Sequence, residues 1–377
     1  MRTVIGMALV AVLASCGSDA PDIPHLDWPV SVEIPLAHTP DVYTAMVSIG
    51  SQAFALLVDT GSSTTVVAGA SCTACSIVSP LYMPGATATD TGNTASGSYV
   101  DQSTWDGELY VDQVGFGSGS PVVPLELASI VDEVLFFKDA SYEGIIGLGP
   151  PESVVGDTTA FMSTAVQSGA PNLLAFELCD DAGTMWIGAP DPSAMAGPMV
   201  YTPLVAASDD LPYYNLAVTG LALGGTSIAS GAAAFHDAFF DTGTTDFLVP
   251  TAVRDALASA IDQSAGTAAL FAGQSLATDG CYTAAGVTAA QVDAMLPPLS
   301  TSFPDGTGGT VTISAPATRS YFIDDSNGQF CLAVTASGSD DSAVTILGDA
   351  FLRGFVGAID LANQRIGFAP DAGCGGS

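Results

Sequence analysis

At 377 residues the chain is long enough for two domains of ordinary size, and 48 % apolar residues exclude a disordered polypeptide. Charged residues make up only 12 %, with 39 acidic against 6 basic; a formal net charge of −33 and a single lysine, Lys138, exclude nucleic-acid binding and docking to anionic lipid through a basic patch. Halophilic adaptation carries more total charge, so the imbalance points to an acidic working environment, where protonated carboxylates relieve self-repulsion.

The N-terminus reads as an export signal. Arg2 precedes an apolar run over residues 4–14, the length of a signal h-region and too short to span a bilayer. Leu13-Ala14-Ser15-Cys16 resembles the bacterial lipobox. This predicts a lipoprotein-type signal peptide over residues 1–15, Cys16 as the acylated first residue of the mature chain, and a tether over residues 16–27. The alternative is an ordinary secretory signal with an incidental cysteine. Gly17, rather than Asp, follows Cys16, as in lipoproteins sent to the outer membrane. The expectation is an exported protein, lipid-anchored to a bacterial outer membrane on its periplasmic or cell-surface side and touching the membrane only through that lipid.

Strand signals begin at residues 30–34, which alternate apolar and polar, and continue at residues 43–49 before a Gly50-Ser51-Gln52 turn. Residues 53–58 form a near-continuous apolar run, as in a buried strand, and deliver Asp59 to a turn. From there to about residue 200, short apolar segments alternate with clusters of turn formers, an all-β pattern; only residues 158–168 have helical character. Residues 173–178 and 184–187 read as strands. The second half opens at Tyr201-Thr202-Pro203-Leu204-Val205, with a strand-pair candidate at 213–223 and an apolar lead at 238–240 into Asp241. Helices are predicted over 250–261 and 288–295, and strands over 321–323, 329–334, 344–347, 355–359 and 365–368.

One short pattern occurs twice. Leu57-Val58-Asp59-Thr60-Gly61-Ser62-Ser63 returns as Phe240-Asp241-Thr242-Gly243-Thr244-Thr245, and each copy is followed later by two apolar residues and a glycine, Ile145-Ile146-Gly147 and Ile346-Leu347-Gly348. Repetition at this spacing implies two lobes of one topology. A carboxylate at the tip of a buried strand is desolvated, which raises its pKa, and two brought together share a proton. The charged partner can take a proton from a bound water while the neutral one donates to a substrate carbonyl, and the roles then reverse to protonate a leaving amine. Gly61 and Gly243 permit a tight turn and close approach of the lobes. Thr60 and Thr242 can hydrogen-bond across the junction, and Ser62 and Thr244 can donate to the outer carboxylate oxygens. A single Asp-Thr-Gly is common in turns; two copies in this setting are not.

Over residues 28 to 370 the sequence resembles the pepsin-like (A1) aspartic peptidases. The resemblance rests on Tyr43-Thr44-Ala45-Met46-Val47-Ser48-Ile49-Gly50, on Glu143-Gly144-Ile145-Ile146-Gly147-Leu148-Gly149, on Ile346-Leu347-Gly348-Asp349-Ala350-Phe351-Leu352-Arg353 and on Asn363-Gln364-Arg365-Ile366-Gly367-Phe368-Ala369. It implies an all-β bilobal fold of two related barrel-like lobes, over residues 28–192 and 193–377, with a substrate cleft between them. It implies Asp59 and Asp241 as the catalytic pair, peptide or protein substrates, no cofactor and no metal, and the expected state is a monomer. It also implies a β-hairpin flap with Tyr99 over the cleft and Asp101 beside it. Val100 and Gln102 stand where glycines are common, an extra residue precedes Gly107, and Val66 replaces a tryptophan that often supports the flap tyrosine.

Seven cysteines occur; setting Cys16 aside leaves six, and disulfides are the default in an exported chain. By spacing alone Cys72 and Cys75 suit a redox pair or a small disulfide. The resemblance implies the disulfide, and likewise one between Cys281 and Cys331. Cys179 and Cys374 then pair by elimination only. Between Cys16 and Trp28 no Lys or Arg occurs, so no basic inhibitory pro-segment is expected there. No G-x-S-x-G or phosphate-cradling loop is present, and His25, His38 and His236 form no metal pattern. The rival reading is a catalytically inactive pepsin-like binding or inhibitor protein, but such relatives typically have a damaged dyad, and here both triplets are intact.

Overall fold

The computed structural model describes residues 23–39, 42–99, 102–117, 120–138, 140–156, 158–206, 212–324, 328–339 and 342–373. Cys16 and the signal and tether before residue 23, Asp101 and Cys374 lie outside the described residues.

The first half is a run of antiparallel strands: β1 (Ser31–Thr39), β2 (Val42–Ile49) and β3 (Gln52–Asp59), then the short β4 (Val66–Ala68). A long hairpin follows, β5 (Thr89–Ser98) and β6 (Thr104–Gly115), and β7 (Val123–Val134) pairs with its second strand. The chain returns through β8 (Gly144–Gly147), the helix α1 (Phe161–Gln167), β9 (Leu173–Leu178) and β10 (Ala182–Gly188). Alternation in β1 is legible in its burial: Val32, Ile34 and Leu36 point inward, and Glu33, Pro35 and Ala37 are exposed.

The second half begins with β11 (Val200–Pro203), the short β12 (Asn215–Leu216), β13 (Gly220–Leu223), β14 (Thr226–Ser230), β15 (Asp237–Phe240) and β16 (Phe247–Val249). The 213–223 stretch is not one strand pair: β12 pairs with β15, and β13 with β14. The predicted helix forms as α2 (Thr251–Asp262), with Val253, Leu257, Ala258 and Ile261 on its buried face. Two further helices, α3 (Ala265–Leu270) and α4 (Leu276–Asp279), are each N-capped by a serine side chain, Ser264 and Ser275. Next come β17 (Cys281–Thr283), α5 (Ala289–Met295) behind a capping box of Thr288 and Gln291, β18 (Leu299–Pro304), β19 (Thr310–Ala315) and β20 (Phe322–Asp324). The fold closes with β21 (Gln329–Leu332), β22 (Val334–Ala336), β23 (Val344–Leu347), α6 (Asp349–Leu352), β24 (Phe355–Asp360) and β25 (Arg365–Pro370).

The largest sheet has thirteen strands, in the order β11-β25-β24-β9-β10-β1-β2-β3-β8-β4-β7-β6-β5. Six of these strands, from both halves of the chain, form its common floor: β24 of the second half pairs with β9 of the first. The two halves then repeat one local device. In the first, β3 lies parallel to β8, and β4 runs antiparallel on the other side of β8. In the second, β15 lies parallel to β23, and β16 runs antiparallel beside β23. Each device ends a buried strand on an Asp-Thr-Gly turn. The glycines in the paired strands are required by space: a Cβ on Gly147 would lie 2.5 Å from the Ser63 carbonyl carbon.

The core explains why the two strands hold still. Val58, before Asp59, is fully buried, and so is Phe240, before Asp241. The Phe240 ring lies between Phe176 and Phe368, at centroid separations of 5.9 and 6.3 Å, and joins strands of both halves. Burying one such side chain stabilises the fold by about 1.5–3 kcal/mol. Gly357 leaves room for that ring, since a Cβ there would sit 2.9 Å from it.

Cys281 and Cys331 are disulfide-bonded directly across the β17–β21 pair. Cys72 and Cys75 are disulfide-bonded, Cys72 just before and Cys75 within a short 3-10 helix over Ala74–Ile77. Cys179 is also disulfide-bonded.

Candidate active site

The two Asp-Thr-Gly turns meet at the junction of the halves and hold each other by a symmetric set of hydrogen bonds. Thr60 N–H donates to Thr242 Oγ1 at 3.1 Å, and Thr242 N–H donates to Thr60 Oγ1 at 3.0 Å. Each hydroxyl then donates across to the strand preceding the opposite aspartate: Thr242 Oγ1 to the Val58 carbonyl at 2.7 Å, and Thr60 Oγ1 to the Phe240 carbonyl at 3.3 Å. Both threonines are buried, so these four bonds have no competing water.

The same two-fold relation governs the carboxylates. Gly61 N–H donates to Asp59 Oδ1 at 2.7 Å, and Gly243 N–H donates to Asp241 Oδ1 at 2.8 Å. Ser62 Oγ donates to Asp59 Oδ2, and Thr244 Oγ1 donates to Asp241 Oδ2 at 2.6 Å. The glycines do more than turn the chain. A Cβ on Gly61 would lie 2.5 Å from Asp241 Oδ1, and one on Gly243 would fall on Asp59 Oδ1. Each glycine therefore packs its bare Cα against the opposite carboxylate, and any side chain there would push the pair apart.

Asp59 and Asp241 are 6 % and 7 % exposed, too little for full solvation. Burial, and next the charge of Asp241, push the Asp59 carboxyl up to about 7 against the pull of Ser62 and Gly61. Burial raises Asp241 as well, against Thr244 and Gly243. Two carboxyls so placed hold one proton between them below the upper ionisation.

The sequence profile of the eukaryotic aspartyl proteases matches residues 42–371. The chain belongs to that family. Among its relatives, an aspartic protease of Phaffia rhodozyma is 27 % identical over 334 residues, covering 87 % of this chain and 76 % of that protein. Pepsin A-5 of Mus musculus is 30 % identical over 348 residues, covering 88 % and 81 %. Cathepsin E of Rattus norvegicus is 29 % identical over 351 residues, covering 87 % and 79 %. The chain is an aspartic-type endopeptidase with a mostly β fold.

In this aspartyl protease the β5–β6 hairpin carries Tyr99 at its tip. Tyr99 N–H donates to the Ser103 carbonyl at 3.0 Å, and Gln102, at φ 71°, donates back to the Tyr99 carbonyl. The Tyr99 ring is half-buried, 5.7 Å from Phe136, against a cluster that includes Leu57, Val66 and Trp105. Trp105 carries no sequence motif. It stands on β6 opposite Gly97, is 2 % exposed, and packs in the same cluster as Val66. A Cβ on Gly97 would lie 2.5 Å from its indole nitrogen. A tryptophan does lie under this hairpin, on the hairpin's own second strand instead of on β4. A Trp placed eight residues past a Gly in an alternating run is its only trace in the sequence.

Two more groups couple electrostatically to the aspartates. Asp349, at the start of α6, is buried; its backbone N–H donates to the Thr244 carbonyl at 2.8 Å. Burial, and next the charge of Asp241, hold its carboxyl well above the usual range, with Arg353 opposing. Tyr213 stacks on Phe239 at 4.3 Å between centroids. Burial, then the charges of Asp241 and Asp59, raise its hydroxyl pKa. Asp349 is within a segment that the sequence marks by its resemblance alone. Tyr213 carries no motif.

Proposed function

We propose that Asp59 and Asp241 are the catalytic pair of this endopeptidase and cleave peptide bonds through a water held between them. The reading is carried by one observation: two carboxylates, each oriented by a backbone N–H and a hydroxyl, face each other on interlocked turns. The ionised member takes a proton from water, the resulting hydroxide adds to the substrate carbonyl carbon, and the neutral member donates its proton to the carbonyl oxygen. In the second step the carbonyl re-forms, the C–N bond breaks, and the proton passes to the leaving amine. The N–H and hydroxyl donors fix both carboxyls, so little reorganisation is left to the transition state. Tyr99 would close over the substrate with its hairpin and exclude water.

Digestion of an unfolded protein from about pH 2 to pH 8, with and without a pepstatin-type inhibitor, tests the reading. Acid-favoured cleavage blocked by the inhibitor is expected. No cleavage by folded protein at any pH would contradict it.

We further propose that the protein is exported and held by lipid on Cys16, as a monomer on a bacterial outer membrane. Support comes from Arg2, the apolar run behind it and Leu13-Ala14-Ser15-Cys16. Metabolic labelling with a fatty-acid analogue should mark the wild type and not Cys16→Ser. Equal labelling of both would exclude that anchor.

A further inference from the structure

The strands of the common floor have two faces. Along β9, Leu174, Phe176 and Leu178 enter the main core, and Leu173, Ala175 and Glu177 take the other side. On that outer side lies the strap that joins the two halves, residues 189–199 between β10 and β11. Its Ala194 and Met199 pack on a small apolar cluster of Ala175, Trp186 and Ala358. The end of the chain clasps the strap there. Ala196 N–H donates to the Pro370 carbonyl at 2.8 Å, Ala372 N–H donates to the Ala194 carbonyl at 2.9 Å, and Met195 and Asp371 pair as an antiparallel bridge.

The clasp carries an unbalanced set of charges. Arg319 Nη2 pairs with Asp371 Oδ2 at 2.5 Å, and Glu177 shares a hydrogen bond with Asp371. Asp191, near the start of the strap, adds a third carboxyl that acts on Glu177. The Ser193 N–H and hydroxyl donate to it and hold it below the usual carboxylate range. Arg319 opposes the three, and its Nε donates to the Arg353 carbonyl at 2.9 Å. Arg353 itself pairs with Asp180 at 3.1 Å. The flanking strands β10 and β24 place Thr184 and Val356 opposite Glu177, and neither ionises. Two carboxyls share a hydrogen bond only while one of them keeps its proton. With both ionised, three carboxylates would face one guanidinium and repel.

We propose that Glu177 and Asp371 form a pH-operated latch: while they share a proton they hold the strap and the end of β25 on the floor, and loss of that proton frees both segments and uncovers the apolar cluster beneath. The latch does not depend on the peptidase reading. Burial, and next the charge of Asp371, raise the Glu177 carboxyl from 4.5 to about 7. The closed latch therefore binds more protons than the open one between these values. Opening stays at its acidic level below about pH 4.5, rises by up to about tenfold per pH unit above it, and levels off above about pH 7.

Hydrogen exchange of the full chain at about pH 5 and pH 8, corrected for the intrinsic rate at each pH, tests the latch in peptides covering residues 189–199 and 366–372. In the wild type, protection of both segments should fall about tenfold or more across this range, while α2 keeps its protection. Glu177→Gln can still donate to Asp371 and cannot ionise, so it should keep both segments at their acidic protection at both pH values. Equal protection of the wild-type segments at the two pH values overturns the latch, and this comparison stands whether or not the variant folds. A folded Glu177→Gln that loosens as the wild type does also overturns it. So does a loss of protection in α2 in step with the strap, since the opening would then be global.

Discussion

The two Asp-Thr-Gly turns are nearly superimposable in their bonds and unlike in their surroundings. Within the turns every donor in one half has its counterpart in the other: Thr60 with Thr242, Gly61 with Gly243, Ser62 with Thr244. Outside them the symmetry ends. The Asp59 side carries the long β5–β6 hairpin and Tyr99, while the Asp241 side carries Asp349 and the Tyr213–Phe239 stack. The symmetric part fixes where the carboxylates point. The asymmetric part sets which further groups couple to them electrostatically, Asp349 and Tyr213 among them.

Breaking the carboxylates themselves gives the largest effect. Asp59→Asn and Asp241→Asn should each lower kcat/KM by about 10³-fold or more, since each half of the proton exchange needs its own carboxyl. Similar losses in both would confirm that the symmetric set acts as a unit; one mildly affected variant would break the comparison.

Removing the interlock comes next. Thr60→Val leaves the Thr242 N–H buried without its acceptor, and Thr242→Val does the same to Thr60. Each should cost about 1–3 kcal/mol in denaturant unfolding. The double variant should cost less than the sum, because the two share one network.

Smaller again is the loss of one outer donor. Ser62 and Gly61 lower the Asp59 carboxyl, so Ser62→Ala raises it further. The wild type should lose activity as pH rises through about 7, where the shared proton leaves. Ser62→Ala should move that basic limb to higher pH and lower kcat/KM by about tenfold. Thr244→Val should act in the same direction on Asp241; a limb moving to lower pH in either variant would refute the role given to these hydroxyls.

A second carboxyl pair, away from the turns, sharpens the contrast. Glu177 on β9 is pushed from 4.5 to about 7, by burial first and then by the charge of Asp371, with which it shares a hydrogen bond; Asp191 adds to this and Arg319 opposes it. Arg319 also pairs with Asp371 at 2.5 Å. A raised carboxyl means that the folded state binds more protons than the unfolded one between these values. Stability from this group is therefore complete below about pH 4.5 and is lost as pH rises through about 7. Glu177→Gln should flatten that part of the stability–pH curve and leave the activity limb of Asp59 in place. An unchanged curve would show that the fall in stability lies elsewhere.

Much of this was legible in the chain because buried strands announce themselves. Residues 53–58 and 238–240 are apolar runs ending on an aspartate, and the paired glycines Gly147 and Gly348 recur after each. What stayed unread was set by tertiary contact. α3 and α4 are short, and their caps, Ser264 and Ser275, sit among residues of ordinary loop composition. Trp105 faces inward because β6 pairs with β5 and β7 in one register, and no local pattern states that register. Tyr213 comes near the aspartates because β12 docks on β15, a pairing of two residues that periodicity is too short to reveal.

The most direct test of the central claim is the pH profile of kcat/KM for one peptide, measured for the wild type beside Asp59→Asn and Asp241→Asn with folding checked by circular dichroism. Two aspartates sharing one proton predict activity at acidic pH, a fall through about pH 7, and no pH at which either folded variant recovers. Cleavage that persists in either variant at any pH would contradict the pair.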